Sequence, residues 1–279
     1  MVVLGLGAGW LGALVGIGGG VVIVPTLVLG FGLDIRFAVA ASLVAVIATS
    51  TSAGSVYLGR GITNTRLGMT LEVATTIGGM TGGLVAALVP VDVITALFAG
   101  VMSVTAVLVL RGAGHPTLRL VETMAVDEVG WEEPGMLAGA YVDEARGGLV
   151  RYRAKRLWVG SAVSLLAGSV SGMLGVGGGF LKVPAMNLGM DVPVKVAAAT
   201  SNFMIGVTAA ASVFIYFQRG YLEPLVAVPV ALGVVGGSLV ATRMASAAPP
   251  RLVKRILAAV LVVVAVEMGL RALGVGFGG

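Results

Sequence analysis

The chain has no cysteine and one histidine, His115. Disulfides and thiolate metal sites are therefore excluded. A lone imidazole beside Pro116, with no cysteine partner, makes no metal centre and reads as a solvated loop residue. Charge is scarce too: Asp, Glu, Lys and Arg are 11% of the 279 residues, against 57% hydrophobic residues and a mean hydropathy of +1.04. Soluble domains carry about 25% charged residues. The composition is that of a polytopic membrane protein, with uncharged segments long enough to cross a hydrocarbon core of about 30 Å. No P-loop Lys-Ser or Lys-Thr is present, which argues against built-in ATP hydrolysis, and Gly16-x-Gly18 lacks the strand and later acidic residue of a dinucleotide site. An intramembrane hydrolase would need serine with histidine, or paired aspartates, inside the membrane, and neither is found. The reading is of a protein that is not an enzyme and uses no cofactor. A pI near 9.9 would suggest nucleic acid for a soluble protein. Here it reflects Lys and Arg gathered in cytoplasmic loops, and no nucleic-acid partner is inferred.

Glycine is what the chain has in excess, with 44 copies. Gly16-Ile17-Gly18-Gly19-Gly20-Val21-Val22-Ile23-Val24-Pro25 returns as Gly175-Val176-Gly177-Gly178-Gly179-Phe180-Leu181-Lys182-Val183-Pro184. Each glycine costs a helix about 1 kcal/mol relative to alanine, so a segment built only to cross a membrane gains nothing from such a cluster. Bare backbone is needed there, twice. Each cluster cuts an apolar run into two pieces too short to cross alone. The result is either one helix unwound in the middle or a re-entrant hairpin, and irregular backbone at that depth requires surrounding protein or a water-filled cavity. Pro25 loosens the turns after the first break, because it has no N–H to give.

The chain is apolar from Met1 to Leu29, without a basic leader or cleavage signature, so a removable signal peptide is not expected. Spans follow at 37–58, 67–89 and 93–110. The first is rich in hydroxyls: Ser42, Thr49, Ser50, Thr51, Ser52 and Ser55, most of them expected to pack between helices or bond back to their own backbone. Gly78-x-x-x-Gly82 in the second is a helix-packing pattern of low specificity, and glycine-rich faces of this kind permit a homodimer. Residues 112–156 are polar, with Glu122, Asp127, Glu128, Glu132, Glu133, Asp143 and Glu144 among basic residues. They form a cytoplasmic connector, whose part from Ala140 to Tyr152 reads as a β-hairpin. Residues 157–279 then repeat residues 1–111, with the second glycine break at 157–188 and spans at 194–217, 225–241 and 256–273. The offset that carries Gly16 onto Gly175 carries Ser42 onto Ser201 and Thr49 onto Thr208. Duplication in an apolar chain points to a transporter built from two repeats.

Charge orients the halves. If each broken segment is a hairpin, each half has three full crossings and the halves are inverted. Arg60, Arg66, Arg111, Arg119, the connector's basic residues, Lys195, Arg243, Arg251, Lys254 and Arg255 then share one side, leaving Arg36, Arg219 and Arg271 opposite. Four crossings per half would scatter them. The positive-inside rule favours the inverted arrangement, with both termini outside and the connector in the cytoplasm. The fold class expected is thus an all-α polytopic membrane protein of two inverted homologous repeats, each a glycine-broken segment (re-entrant or discontinuous) plus three spanning helices.

The doubled Gly-x-Gly-Gly-Gly with Val-Pro shortly after it, each copy followed by a hydroxyl-rich helix ending near Arg-Gly, resembles the TauE/SafE family of sulfite exporters. Outside the connector the likeness covers nearly the whole chain. It implies a multi-pass inner-membrane transporter of sulfite, organosulfonates or related small anions. The residues agree with an anion site. A helix restarting after Gly18-Gly19-Gly20, and again after Gly177-Gly178-Gly179, presents free N–H groups and about half a positive charge. Ser42, Thr49, Thr200, Ser201, Asn202 and Thr208 supply neutral donors. Lys182, the one basic residue placed deep in an apolar run, either meets the same anion or snorkels to a membrane face. Ser42-Leu43 stands where the second half has Ser201-Asn202, so the site is not expected to be symmetric. Of the acids, Glu267 is read as pairing with Arg271 one helical turn on, Glu72 as lying at the start of its span, and Asp34 and Asp191 as loop or cap residues. Nothing in their spacing selects one as a proton carrier. Alternating access by a carrier and passive flow through a channel remain two readings of the same residues.

Overall fold

A computed structural model of the chain describes residues 1–15, 18–112, 137–143, 148–244 and 250–272. Gly16, Ile17, His115, the acidic residues from Glu122 to Glu133 and the hairpin turn from Glu144 to Gly147 lie outside the described residues. The helices are α1 (Val2–Val15), α2 (Gly20–Pro25), α3 (Ile35–Gly59), α4 (Thr65–Leu88), α5 (Val91–Gly112), α6 (Leu157–Leu174), α7 (Gly179–Pro184), α8 (Val194–Gln218), α9 (Pro224–Met244) and α10 (Pro250–Ala272). Strands β1 (Ala138–Asp143) and β2 (Gly148–Arg153) pair antiparallel, with Tyr141 opposite Val150. Five helices, α3, α4, α6, α8 and most of α9, are long and apolar enough to cross a membrane. The protein is mostly helical and multi-pass.

Caps set the helix boundaries. The Asp34 carboxylate accepts the Arg36 N–H at 2.8 Å and opens α3, and the Asn64 side chain accepts the Leu67 N–H at 3.0 Å and opens α4. Side-chain acceptors of this kind satisfy donors that a helix start leaves free. The glycine breaks have like geometry: Gly18 and Gly19 have φ of 86° and 61°, Gly177 and Gly178 of 86° and 70°. Left-handed backbone of this kind is cheap only for glycine. The helices α2 and α7 begin at the next residue, and each ends on its proline, followed by a π-helical turn, Thr26–Gly30 and Ala185–Gly189. Proline cannot donate to the carbonyl one turn back, and the widened turn follows from that.

Packing crosses between the two halves. Gly5 and Gly9 of α1 lie on the backbone of Val230 and Val234 of α9, while Gly168 and Gly172 of α6 lie on Thr75 and Gly79 of α4. Helix pairs this close depend on residues without bulk. The Gly78 and Gly82 face is covered by Leu165 and Ser169 of the same chain, so it is not a surface for a second copy. The α3–α8 and α5–α10 pairs complete the bundle.

Two sets of polar contacts mark its ends. At one, Arg36 donates from Nη2 to the Val89 carbonyl (2.7 Å) and from Nη1 to the Tyr221 hydroxyl (3.3 Å). Arg271 donates to the Val28 carbonyl (2.8 Å). This corrects the expected Glu267–Arg271 pair: the guanidinium ties α10 to the turn after α2 instead, where a backbone carbonyl of a π-helical turn is free to accept. At the other end, the Lys155 N–H donates to the Met190 carbonyl (3.0 Å), and the Lys155 ammonium lies 3.6 Å from Asp191. Asn64 Nδ2 donates to the Tyr152 hydroxyl at 3.0 Å. Burial raises the Tyr152 phenol above its ordinary range, partly offset by that bond. Since Lys155 precedes α6 and Met190 follows α7, the chain returns to where α6 began.

Candidate functional site: a buried lysine and two glycine breaks

The two breaks meet in the interior. Gly20, the first residue of α2, sits against the Gly175 carbonyl at the end of α6, so closely that no Cβ fits between them. The Ser42 hydroxyl of α3 donates to the same carbonyl at 2.8 Å and is fully buried. Gly18 rests on Val46 of α3 and Ile205 of α8, Gly19 lies along α1 at Ala8, and Gly178 lies along α6 at Ala167 and Ser171. Gly179, where α7 begins, is buried. Four helices therefore hold the restarts of α2 and α7.

Among the described residues Lys182 is the largest fully buried charged side chain, 1% exposed. It does not snorkel: Nζ donates inward to Thr208 Oγ1 of α8 at 3.3 Å. The Thr208 hydroxyl donates in turn to Glu72 Oε1 of α4 at 2.7 Å, and Thr76 donates to the same oxygen at 3.2 Å. Glu72 is 5% exposed, and its Oε2 is buried without a hydrogen-bond partner. An ammonium and a carboxylate thus face each other through one hydroxyl in a low-dielectric interior, where unpaired charge is costly.

The remaining sequence candidates divide into two kinds. Ser201 Oγ and Asn202 Nδ2 are buried and unpartnered, although the Asn202 backbone carbonyl accepts from Ser50. Thr49 bonds only to its own helix, at the Ala45 carbonyl (2.9 Å), as Thr51 and Ser55 do within α3. Thr200 belongs to the architecture: its hydroxyl accepts the buried Asn64 N–H at 3.0 Å, joining α8 to the start of α4. Thr200→Val should lower stability by about 1–3 kcal/mol, the cost of stranding a buried donor, whereas exposed Thr51→Val should be near neutral. Melting midpoints in detergent would check both, and equal midpoints would show the Asn64 bond to be dispensable.

The sequence reading missed Glu72 as a site residue. The signal was present in Asn64: a helix capped there places Glu72 two turns inside α4, rather than at its start, and one turn before Thr76. What no spacing could show is that α4 turns this face toward α7 and α8. A second feature borders the site without belonging to it. A groove of about 620 Å³ runs between α5 and α7, lined by Val93, Ala96, Leu97, Val101, Phe180 and Leu181, with Asp92 its only charged residue. Its apolar wall suits lipid chains, not an anion.

Spanning helices around a buried charged cluster, with broken backbone at its edge, define a multi-pass membrane protein with a polar interior site rather than a receptor anchor or an enzyme cleft. The family model for the sulfite exporter TauE/SafE matches residues 1–268, and the chain belongs to that family of membrane transporters. A probable membrane transporter protein, YunE, of Bacillus subtilis (strain 168) is 29% identical over 248 residues, 86% of this chain and 85% of the relative. A probable membrane transporter protein of Xylella fastidiosa (strain 9a5c) is 29% identical over 38% of this chain and 41% of its own. Sulfite exporter TauE/SafE family protein 3 of Arabidopsis thaliana is 30% identical over 49% of this chain and 27% of its own. No solved structure matches. The protein is a transporter of the cell membrane.

Proposed function

We propose that the chain is a secondary transporter moving a small sulfur-containing anion, sulfite or an organosulfonate, across the inner membrane by alternating access. The observation that carries the reading is Lys182, a buried ammonium in the first turn of α7 just after its glycine break, hydrogen-bonded to Thr208 of α8. The starts of α2 and α7 carry partial positive charge; the N–H groups of Gly20, Val22 and Leu181 turn onto the Gly18, Gly19 and Gly178 carbonyls, and the helix-end field remains for an anion. An anion between them would gain Lys182 and the unpartnered Ser201 and Asn202 side chains. Removal of an anion from water demands donors of this kind, already in place.

The two halves are proposed to be inverted repeats, each with one re-entrant hairpin and three crossings. Matching element order and the matching φ values of Gly18–Gly19 and Gly177–Gly178 support this. The Lys155–Met190 bond supports the hairpin, since a single crossing would part those residues by a bilayer. Arg36 and Arg271 fall at the end opposite Lys155, as the inverted charge count requires. Residues 112–156 would then lie in the cytoplasm between two transmembrane units.

Proteoliposomes containing the purified protein, given labelled sulfite or a small labelled organosulfonate with and without a pH gradient, test the reading. Saturable uptake that exchanges with unlabelled anion is expected. Flux that neither saturates nor exchanges would favour a passive anion channel at the same site, and absence of flux for both anions would remove the substrate class.

A further inference from the structure

We propose that Glu72 carries a proton with each anion, because the anion and the Glu72 carboxylate compete for the single Lys182 ammonium. The inference rests on the anion-transport reading above and adds the coupling to it. In the structure the cluster is closed on itself: Lys182 donates to Thr208, and Thr208 donates to Glu72. With the site empty, ammonium and carboxylate cancel, and the buried cluster has no net charge. An arriving monovalent anion would leave the site with one uncompensated negative charge unless a proton comes too. Glu72 takes that proton from water and becomes neutral, Lys182 keeps its own and turns to the anion, and the total charge is again zero. Nothing else changes hands.

Three features of the geometry suit this exchange. Glu72 Oε2 is buried without a partner, which leaves an oxygen to receive the proton. Thr208 has a second acceptor in the Met204 carbonyl, 3.2 Å away, so its hydroxyl can release Glu72 without being stranded. Among the described residues, the helices packed around the cluster bring no competing buried charge. Of the elements packed on α4, α6 has no ionisable side chain. The helix α8 has Lys195, exposed in its first turn, and Tyr216, engaged with the Gly172 and Met173 carbonyls. The helix α7 has only Lys182, and α4 itself has only exposed Arg66 besides Glu72. The cluster, built from α4 of the first half and α7 and α8 of the second, also occurs once and has no repeat-related copy. The offset between the halves places Ile23, Thr49 and Ala231 at the positions of Lys182, Thr208 and Glu72, so one proton is carried per cycle, not two.

The test is made first on the unaltered protein. Methanesulfonate, a probe that stays ionised and carries no proton of its own, is titrated into the detergent-purified transporter in buffers of different ionisation enthalpy. About one proton taken up per anion bound is expected. Binding with no proton uptake would overturn the coupling while leaving the anion site intact, whereas no binding of methanesulfonate or sulfite would remove the anion reading and this inference with it. In proteoliposomes, Glu72→Gln should exchange internal for external anion at a rate that does not vary with pH, and should accumulate none when a pH gradient is imposed. Wild-type accumulation in that variant would also overturn the proposal. Should the variant fail to fold, the proton count on the wild type decides alone.

Discussion

Lys182→Ala should abolish measurable anion flux and lower anion affinity by roughly 10- to 150-fold, the equivalent of about 1.5–3 kcal/mol for a charge-assisted hydrogen bond. The substitution also damages the empty protein, since it leaves Glu72 buried without its counter-charge. Removing one member of a buried pair costs about 3–5 kcal/mol, enough to unfold many domains. Loss of flux in the single variant would therefore not separate binding from folding. The double variant Lys182→Ala with Glu72→Gln separates them, because it removes both charges at once. Its melting midpoint in detergent should return close to the wild-type value while flux in proteoliposomes stays absent. Wild-type flux in the double variant would show that Lys182 never touches the anion and would leave the helix restarts as the whole site. Lys182→Arg is a further comparison: it keeps the charge, but the planar guanidinium needs room that a closely packed interior does not give, and reduced flux with retained anion binding is expected.

Much of this architecture could be read from composition and pattern. Spans expected at 37–58, 67–89 and 194–217 are helices Ile35–Gly59, Thr65–Leu88 and Val194–Gln218, because long apolar runs between Arg, Pro and Gly admit little else. The hairpin strands, the capping role of Asp34 and the loop position of Asp191 were legible for the same local reason. Lys182 stood out because an intramembrane charge is rare. What could not be read is which faces meet. Thr200 looked like its neighbours Ser201 and Asn202, yet it accepts from Asn64 on another helix. Glu267 looked like a partner for Arg271, yet the guanidinium reaches a carbonyl on the far side of the chain's sequence. Glu72 was passed over because its partner Thr208 lies on a helix more than a hundred residues later. One-dimensional periodicity specifies how a helix is apolar, and in a membrane bundle every helix is apolar almost all round, so the pattern loses its power to say which side faces which neighbour.

The second large effect is expected at Gly20, and its cause is steric rather than electrostatic. Gly20→Val should destabilise the protein and remove flux together. Any Cβ at this position runs into the Gly175 carbonyl oxygen and comes within 2.7 Å of Ser42 Oγ. Neither neighbour can yield easily: one is main chain, and the other is held to it by a 2.8 Å hydrogen bond. Overpacking of this kind costs about 1–3 kcal/mol, and loss of the Ser42 bond adds about 1 kcal/mol. Two comparisons isolate the cause. Ser42→Ala removes the bond without adding bulk and should cost only the smaller amount. Gly7→Ala, inside α1 with nothing within 4 Å of the added carbon, should raise the melting midpoint, as replacing a helical glycine favours the helix by up to about 1 kcal/mol. Melting midpoints should therefore fall in the order Gly7→Ala, wild type, Ser42→Ala, Gly20→Val. If Gly20→Val melts and transports as the wild type does, the two breaks are not in contact in the working protein, and a binding site assembled where they meet cannot stand. If it melts low but Ser42→Ala melts equally low, the hydrogen bond rather than the close approach joins the two halves at this point.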